Sequence, residues 1–232
     1  MKEHICGNPY VGRGIVVGMT EDGRNACGAY FKMGRSNNSR NRIFTEKNGD
    51  VFTEPFDCAK VEDPSLIIYS AIRKYKNYLI LTNGNQTDTV YDGLKSGISF
   101  SDSLKTREFE PDAPNFTPRI SALIEFKNNS FDYEMSILKS ADAEGSACNR
   151  FTFSYSAIKG VGHFIHTYVT DGDPLPTFVG EPERVSVGSD IDEFTNTLWN
   201  ALDDNNKISL CVIFTDLTTG KEQRRIINKN AR

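Results

Sequence analysis

Apolar, β-branched and aromatic runs follow one another in adjacent pairs, joined by turns too short for a crossover. That pairing commits most of the chain to antiparallel sheets. Ile43 to Glu46 and Asp50 to Thr53 flank Asn48-Gly49, a strong signal for a two-residue type I′ hairpin. Gly14 to Met19 and Ala26 to Met33 flank Glu21-Asp22-Gly23, and Leu66 to Tyr75 joins Tyr78 to Thr82 through Lys76-Asn77. Arg119 to Phe126 and Phe131 to Leu138 meet at Asn128-Asn129, and Ser209 to Thr215 pairs with Arg224 to Ile227 around Thr219-Gly220. Phe151 to Ala157 and His163 to Val169 add two more strands. Helices are fewer. Thr87 to Lys95 forms one, with Thr87 or Asp88 as N-cap, and Phe100 to Glu108 a second. Asp190 to Leu202 places Ile191, Phe194, Leu198 and Ala201 on one face behind an acidic first turn. The pattern predicts an α+β, hairpin-rich fold, most simply two stacked sheets with helices on the outer faces. With no repeat and no composition shift, residues 1–232 read as one domain.

Composition narrows the functions open to such a scaffold. The chain carries 27 basic and 31 acidic side chains, a formal charge of −4. Bulk nucleic-acid binding rests on a basic excess, so this balance argues against it while leaving room for a local basic pocket. No apolar run approaches the roughly 20 residues that cross a bilayer, and Met1 to Asn8 lacks the apolar core of a signal peptide. No membrane partner is expected. Cys6, Cys27, Cys58, Cys148 and Cys211 form no Cys-x-x-Cys pair, which suggests neither a disulfide framework nor a zinc knuckle. A reducing, cytoplasmic setting is expected, with Cys27 and Cys211 in the core. His163 and His166 are three apart and on a strand point to opposite faces, so no metal site is expected.

Four stretches are too polar and too glycine-rich for packing alone to explain. Asn8 to Gly14 sets Arg13 between two glycines just before a strand, where backbone N–H groups and a guanidinium can approach an anion together. Gly34 to Arg42 alternates Arg35, Arg40 and Arg42 with small hydroxyl and amide residues, a composition suited to bidentate phosphate contacts. It equally suits a solvated loop. Tyr69 on one strand is followed on the next by Thr82 to Asp88, a strand end, a glycine turn and a helix start; Asn83, Thr87 and Asp88 could read a base or ribose there. The Gly-Lys-Ser/Thr ending of a P-loop is missing. Phe109 to Ile120 holds Pro111, Pro114 and Pro118, which stiffen a loop carrying Glu110 and Asp112 into the strand that begins at Arg119. Either carboxylate could act as acid or base, and either could be a solvated surface group.

In order and spacing these pieces resemble the archaeal-type IMP cyclohydrolases. The resemblance is carried by Tyr10 to Arg13, the Arg35 to Arg42 loop, Tyr69 with Thr82 to Asp88, and Thr117 to Ile120. It implies a four-layer α-β-β-α sandwich of two antiparallel sheets, like the N-terminal nucleophile hydrolases, without their self-processing. It implies a cofactor-free enzyme that closes the purine ring of the formamido-imidazole-carboxamide ribonucleotide (FAICAR) to IMP with loss of water. On that reading Tyr69 donates a proton or holds the oxyanion, Glu110 accepts a proton or orients the carboxamide, and Arg35 clamps the phosphate or stabilises charge. Arg13, Arg40, Arg42, Asn83, Thr87, Asp88 and Arg119 bind the nucleotide. A homo-oligomer is compatible with the sequence, which does not set its order. A nucleotide-binding relative without this activity, a processed hydrolase of the same fold and a plain interaction domain stay open.

Overall fold

The computed structural model describes residues 2–61 and 68–230. Every strand pairing expected from the turns is present. The first sheet has six strands in the order β11-β10-β1-β2-β12-β13, comprising β1 (Arg13–Met19), β2 (Asn25–Met33), β10 (Val161–His166), β11 (Glu183–Ser186), β12 (Lys207–Asp216) and β13 (Glu222–Asn228). The second is a seven-stranded meander in chain order: β3 (Arg42–Lys47), β4 (Asp50–Pro55), β5 (Tyr69–Tyr75), β6 (Tyr78–Thr82), β7 (Arg119–Lys127), β8 (Ser130–Ser140) and β9 (Cys148–Ser156). All neighbours within both sheets run antiparallel. At the β3–β4 turn Asn48 and Gly49 both take positive φ, 53° and 86°, the backbone that Asn-Gly is suited to supply. Leu66 and Ile67, expected at the start of β5, lie outside the described residues.

Alternation along the strands sorts side chains into layers. Ile15, Tyr30 and Ile213 of the first sheet meet Leu81, Ile124 and Met135 of the second in one buried cluster. On the opposite face of the first sheet, Val16, Phe31 and Val212 pack against Phe194 and Leu198 of α5 (Ile191–Ala201) and Ile5 of α1 (Lys2–Ile5). On the outer face of the second sheet, Ile80, Leu123 and Leu138 pack under Val90 of α3 (Gln86–Lys95) and Phe100 and Leu104 of α4 (Phe100–Leu104). Burial on both faces is why β1, β2 and β12 read as continuous apolar runs rather than as alternating ones. Cys27 and Cys211 are fully buried, as expected.

Two local readings need correction. Neither Thr87 nor Asp88 caps α3: the cap position is Asn85, with no side-chain cap bond. The Thr87 hydroxyl bonds Thr82 Oγ1 at 2.6 Å and the Gly84 carbonyl at 3.1 Å, and Asp88 pairs with Arg73 at 2.7 Å. The helix expected to reach Glu108 stops at Leu104. The short segments β11, α1 and α2 (Asn37–Arg40) carry no period long enough to read.

Candidate active site

One end of the sheet stack gathers charge. β1 begins there at Arg13, β3 at Arg42, β5 at Tyr69 and β7 at Arg119, while β2 delivers Lys32 and β6 ends just before Asn83. The antiparallel order brings these ends to one side even though the residues are far apart in sequence. Between them lies a cavity of about 120 Å³ lined by Arg13, Arg42, Asn83, Glu110, Asp112 and Thr117.

The electrostatics of this cavity are lopsided. Arg119 is matched, donating from Nη1 to Glu110 Oε1 at 2.7 Å and to Gln86 Oε1 at 2.9 Å. Asp112 is held by Thr117, accepting from its backbone N at 2.6 Å and its hydroxyl at 2.5 Å. Arg13 and Arg42 have no carboxylate in salt-bridge range among the described residues; Arg13 Nη1 donates to the Tyr10 hydroxyl at 3.2 Å. Behind them Lys32, on the strand next to Arg13 and opposite it in register, is fully buried. Its Nζ donates to Thr53 Oγ1 at 2.9 Å and sits 4.2 Å from the Phe44 ring centre. Burial, then the Arg42 and Arg13 guanidiniums, push the Lys32 amine well below the ordinary lysine range. Burial and Arg13 lower Arg42 as well. Glu110 moves the other way: burial raises its carboxyl and Asp112 adds to this, against the pull of Arg119. Among the described residues, two buried polar atoms of the lining side chains, Arg42 Nε and Glu110 Oε2, have no hydrogen-bond partner. A donor and an acceptor left unmet in the wall of one cavity, beside surplus positive charge, suit a polar, anionic ligand.

Tyr69 lies at the edge of this cluster. It is 5% exposed, shares a 3.0 Å hydroxyl–hydroxyl hydrogen bond with Tyr30, and interacts electrostatically with Arg13, Arg42 and Arg119. Gly84 is there for space. A Cβ on it would stand 2.5 Å from Arg119 Nη1, 2.6 Å from Gln86 Oε1 and 3.1 Å from Glu110 Oε1.

Not every residue singled out from the sequence reaches the cavity. Asn83 lines it, but its amide is spent on the protein: Nδ2 donates to the Pro118 carbonyl at 2.9 Å, and Oδ1 accepts from Ile120 N and Gln86 Nε2, both at 2.9 Å. Thr87 is buried in the turn beneath, and Asp88 is on the surface with Arg73. Arg40 closes its own loop, donating to the Gly34 carbonyl at 3.1 Å and to Asn206 Oδ1 at 3.1 Å. Arg35 does not line the cavity. It pairs with Asp171 at 2.5 Å and lies 5.3 Å from the Tyr10 ring, whose hydroxyl meets Arg13. His163 and His166 do take opposite faces. His163 Nδ1 meets the Tyr133 hydroxyl at 2.6 Å, while buried His166 stacks on Phe164 on the helix side. Lys32 was missed. Its signal, a lysine inside the otherwise apolar run Ala26 to Met33, was present.

A larger cavity, about 890 Å³, lies by β11 and the start of α5. Its charge is of the other sign, Glu21, Asp190 and Glu193 against Arg184, so it gathers no surplus of cations; Asp190 there caps α5, accepting from Asp192 N and Glu193 N.

A sequence profile of the family described as IMP cyclohydrolase-like protein matches residues 10–221. The chain belongs to that family. Curated relatives named IMP cyclohydrolase include one from Methanopyrus kandleri, 35% identical over 118 residues, which covers 49% of this chain and 58% of that protein. One from Methanococcus aeolicus is 32% identical over 119 residues, 50% of this chain and 58% of that protein. One from Methanocella arvoryzae is 33% identical over 121 residues, 50% of this chain and 57% of that protein. Against these three family members the match thus spans between half and two thirds of their length. Every lining residue of the charged cavity falls inside the stretch the family profile covers.

Proposed function

We propose that this chain is an IMP cyclohydrolase, closing the ring of FAICAR to give IMP and water. The observation that carries the reading is the cavity's charge: among the described residues Arg13 and Arg42 have no carboxylate in salt-bridge range, and they line one cavity with Glu110, whose Oε2 has no hydrogen-bond partner. A phosphomonoester supplies the missing negative charge, and arginine forks match its geometry. The cavity accommodates a phosphate group or an imidazole ring, and the rest of the nucleotide lies outside it.

In the reaction the carboxamide nitrogen attacks the formyl carbon and gives up a proton, the formyl oxygen takes the carbonyl electron pair, and after gaining two protons it leaves as water while the formamido nitrogen loses its proton and forms the ring C=N bond. Holding the two groups in contact converts the step to an intramolecular one and contributes several kcal/mol. Tyr69, linked to Tyr30, is the donor to the developing oxyanion. Glu110 takes the proton from the carboxamide nitrogen through Oε2 while Arg119 holds Oε1. Its raised pKa brings it closer to neutrality, where an acid–base group exchanges protons most effectively. Ring closure is redox-neutral and the reading calls on no cofactor. Arg35, at the rim with Asp171, steadies the Tyr10–Arg13 contact rather than touching the reacting atoms. We also read the chain as one domain with the layering of the N-terminal nucleophile hydrolases, working in the cytoplasm.

Incubating the purified chain with FAICAR and following IMP by absorbance tests the reading. Turnover is expected, falling by about 10²-fold or more in Glu110→Gln and in Tyr69→Phe. Wild-type rates in both variants would reject the assigned roles, and no IMP from the wild-type chain would reject the activity.

A further inference from the structure

Two sheets have four edges, and three of them are closed or short. At β3 the Phe44 peptide is taken up by the Asn228 side chain, which accepts from Phe44 N at 2.8 Å and donates to Phe44 O at 2.9 Å. That same contact brings β13, the edge of the other sheet, against β3, and Arg224 of β13 donates to the Gly49 carbonyl at 2.9 Å. β11 is four residues long and charged at Glu183 and Arg184. Short length, charge and side-chain cover are the usual ways of blunting an edge.

β9 is defended only near its start, where Arg150 donates to the Cys148 carbonyl at 3.1 Å and to the Arg107 carbonyl at 2.9 Å. It is nine residues long, Cys-Asn-Arg-Phe-Thr-Phe-Ser-Tyr-Ser, with no proline and one charge, and it pairs with β8 in continuous register from Ser156 to Cys148. Its inward face carries Phe151, Phe153 and Tyr155, of which Tyr155 stacks on His163 of the first sheet with ring centres 3.7 Å apart. Phe153 and Tyr155 are partly packed on the inter-sheet core and Phe151 is 43% exposed. Such an edge is a template for another strand.

We propose that β9 is a dimerisation strand: two copies of this chain pair their β9 strands antiparallel about a twofold axis at Thr152, joining two seven-stranded sheets into one. The strand's own sequence selects a second copy as the occupant. Full overlap of the nine residues puts Thr152 opposite Thr152 and sets Phe151 of each copy against Phe153 of the other, an aromatic pair on the core side. The one charge, Arg150, falls opposite Ser154 of the second copy and meets no like charge. Ser154 in turn donates to Glu134 Oε1 on β8 at 3.3 Å. Among the described residues no cation stands in salt-bridge range of Glu134, and burial raises its carboxyl. Glu134, Ser154 and the second copy's Arg150 share the sheet's other face, so the dimer offers that carboxylate a guanidinium one strand beyond Ser154, in exchange for the exposed 3.5 Å contact that Arg150 makes with Glu108 of its own chain. The interface is isologous, as twofold pairing requires.

Light scattering on the intact chain over about a hundredfold concentration range, alongside amide hydrogen exchange, tests this without reference to turnover. The wild type is expected to reach twice the chain mass, with the β9 amides becoming protected as it does. Thr152 is exposed, so its substitution leaves the core alone. Thr152→Lys and Thr152→Glu each put like charges face to face on the axis and should be monomeric with unchanged circular dichroism. An equal mixture of the two should regain the dimer mass. A wild type that stays monomeric with β9 exchanging freely overturns the proposal. So do single variants that dimerise like wild type, or a mixture that stays monomeric.

Discussion

Lys32 shows what one side chain costs the fold. In the unfolded chain its amine is an ordinary lysine; in the folded one, burial and two guanidiniums disfavour the ammonium. Between the lowered folded value and the ordinary 10.5, the unfolded chain therefore holds one more proton than the folded chain. Stability from this group rises with pH across that window, by up to about 1.4 kcal/mol per unit, and is flat below it. Lys32→Met should remove that rise. Urea denaturation at pH values between about 7 and 9.5 measures it, and variant and wild-type slopes that coincide would show the amine to be ordinary. Arg42→Met carries the opposite balance of fold and function. The ligand-free protein should gain stability, since a half-buried guanidinium with a buried, unmet Nε is replaced by an apolar stem. Affinity for IMP should fall by roughly tenfold or more, the weight of a charge-assisted hydrogen bond. Calorimetric titration and thermal melts of one preparation read both signs. At this scale the sequence was partly legible. Arg13, Arg42 and Glu110 announce themselves by sitting in stiff or glycine-rich loops. Asn83 and Thr87 look identical to ligand readers there and prove to be turn clips, because nothing local says whether an amide or hydroxyl will find a backbone partner first.

Elements were easier to anticipate where a turn or a period governs them. Asn48-Gly49 sets its hairpin, and α5 starts where Asp190 accepts from two backbone N–H groups. Asp190→Ala should cost about 1 kcal/mol in denaturant unfolding, the usual weight of such a cap. β11 was not legible: four residues in a proline-containing stretch become a strand only because β10 offers an edge. The β1–β10 pairing depends on close approach. A Cβ on Gly18 would fall 2.4 Å from Gly162 Cα and 2.6 Å from the Val161 carbonyl, backbone atoms that cannot swing away. Gly18→Ala should destabilise by about 1–3 kcal/mol, the range seen when extra atoms are forced into packed space. A melting curve superimposable on wild type would mean that the two strands can part without loss.

Across the whole molecule, hairpin pattern and helix scarcity were enough to anticipate two antiparallel sheets; which residues meet between them was not, because that depends on how the sheets stack. Leu81, fully buried in the inter-sheet cluster, tests that contact. Leu81→Ala should cost about 2–5 kcal/mol, with the larger figure if the sheets cannot close over the gap. The stack also ties distant parts of the chain together. Asn228 clips Phe44 across 184 positions of sequence, two residues along β3 from the arginine at its start. A protease nick before Asn228 would therefore be felt first at Arg42, while most of the molecule stayed native, so β13 doubles as a brace for the pocket mouth.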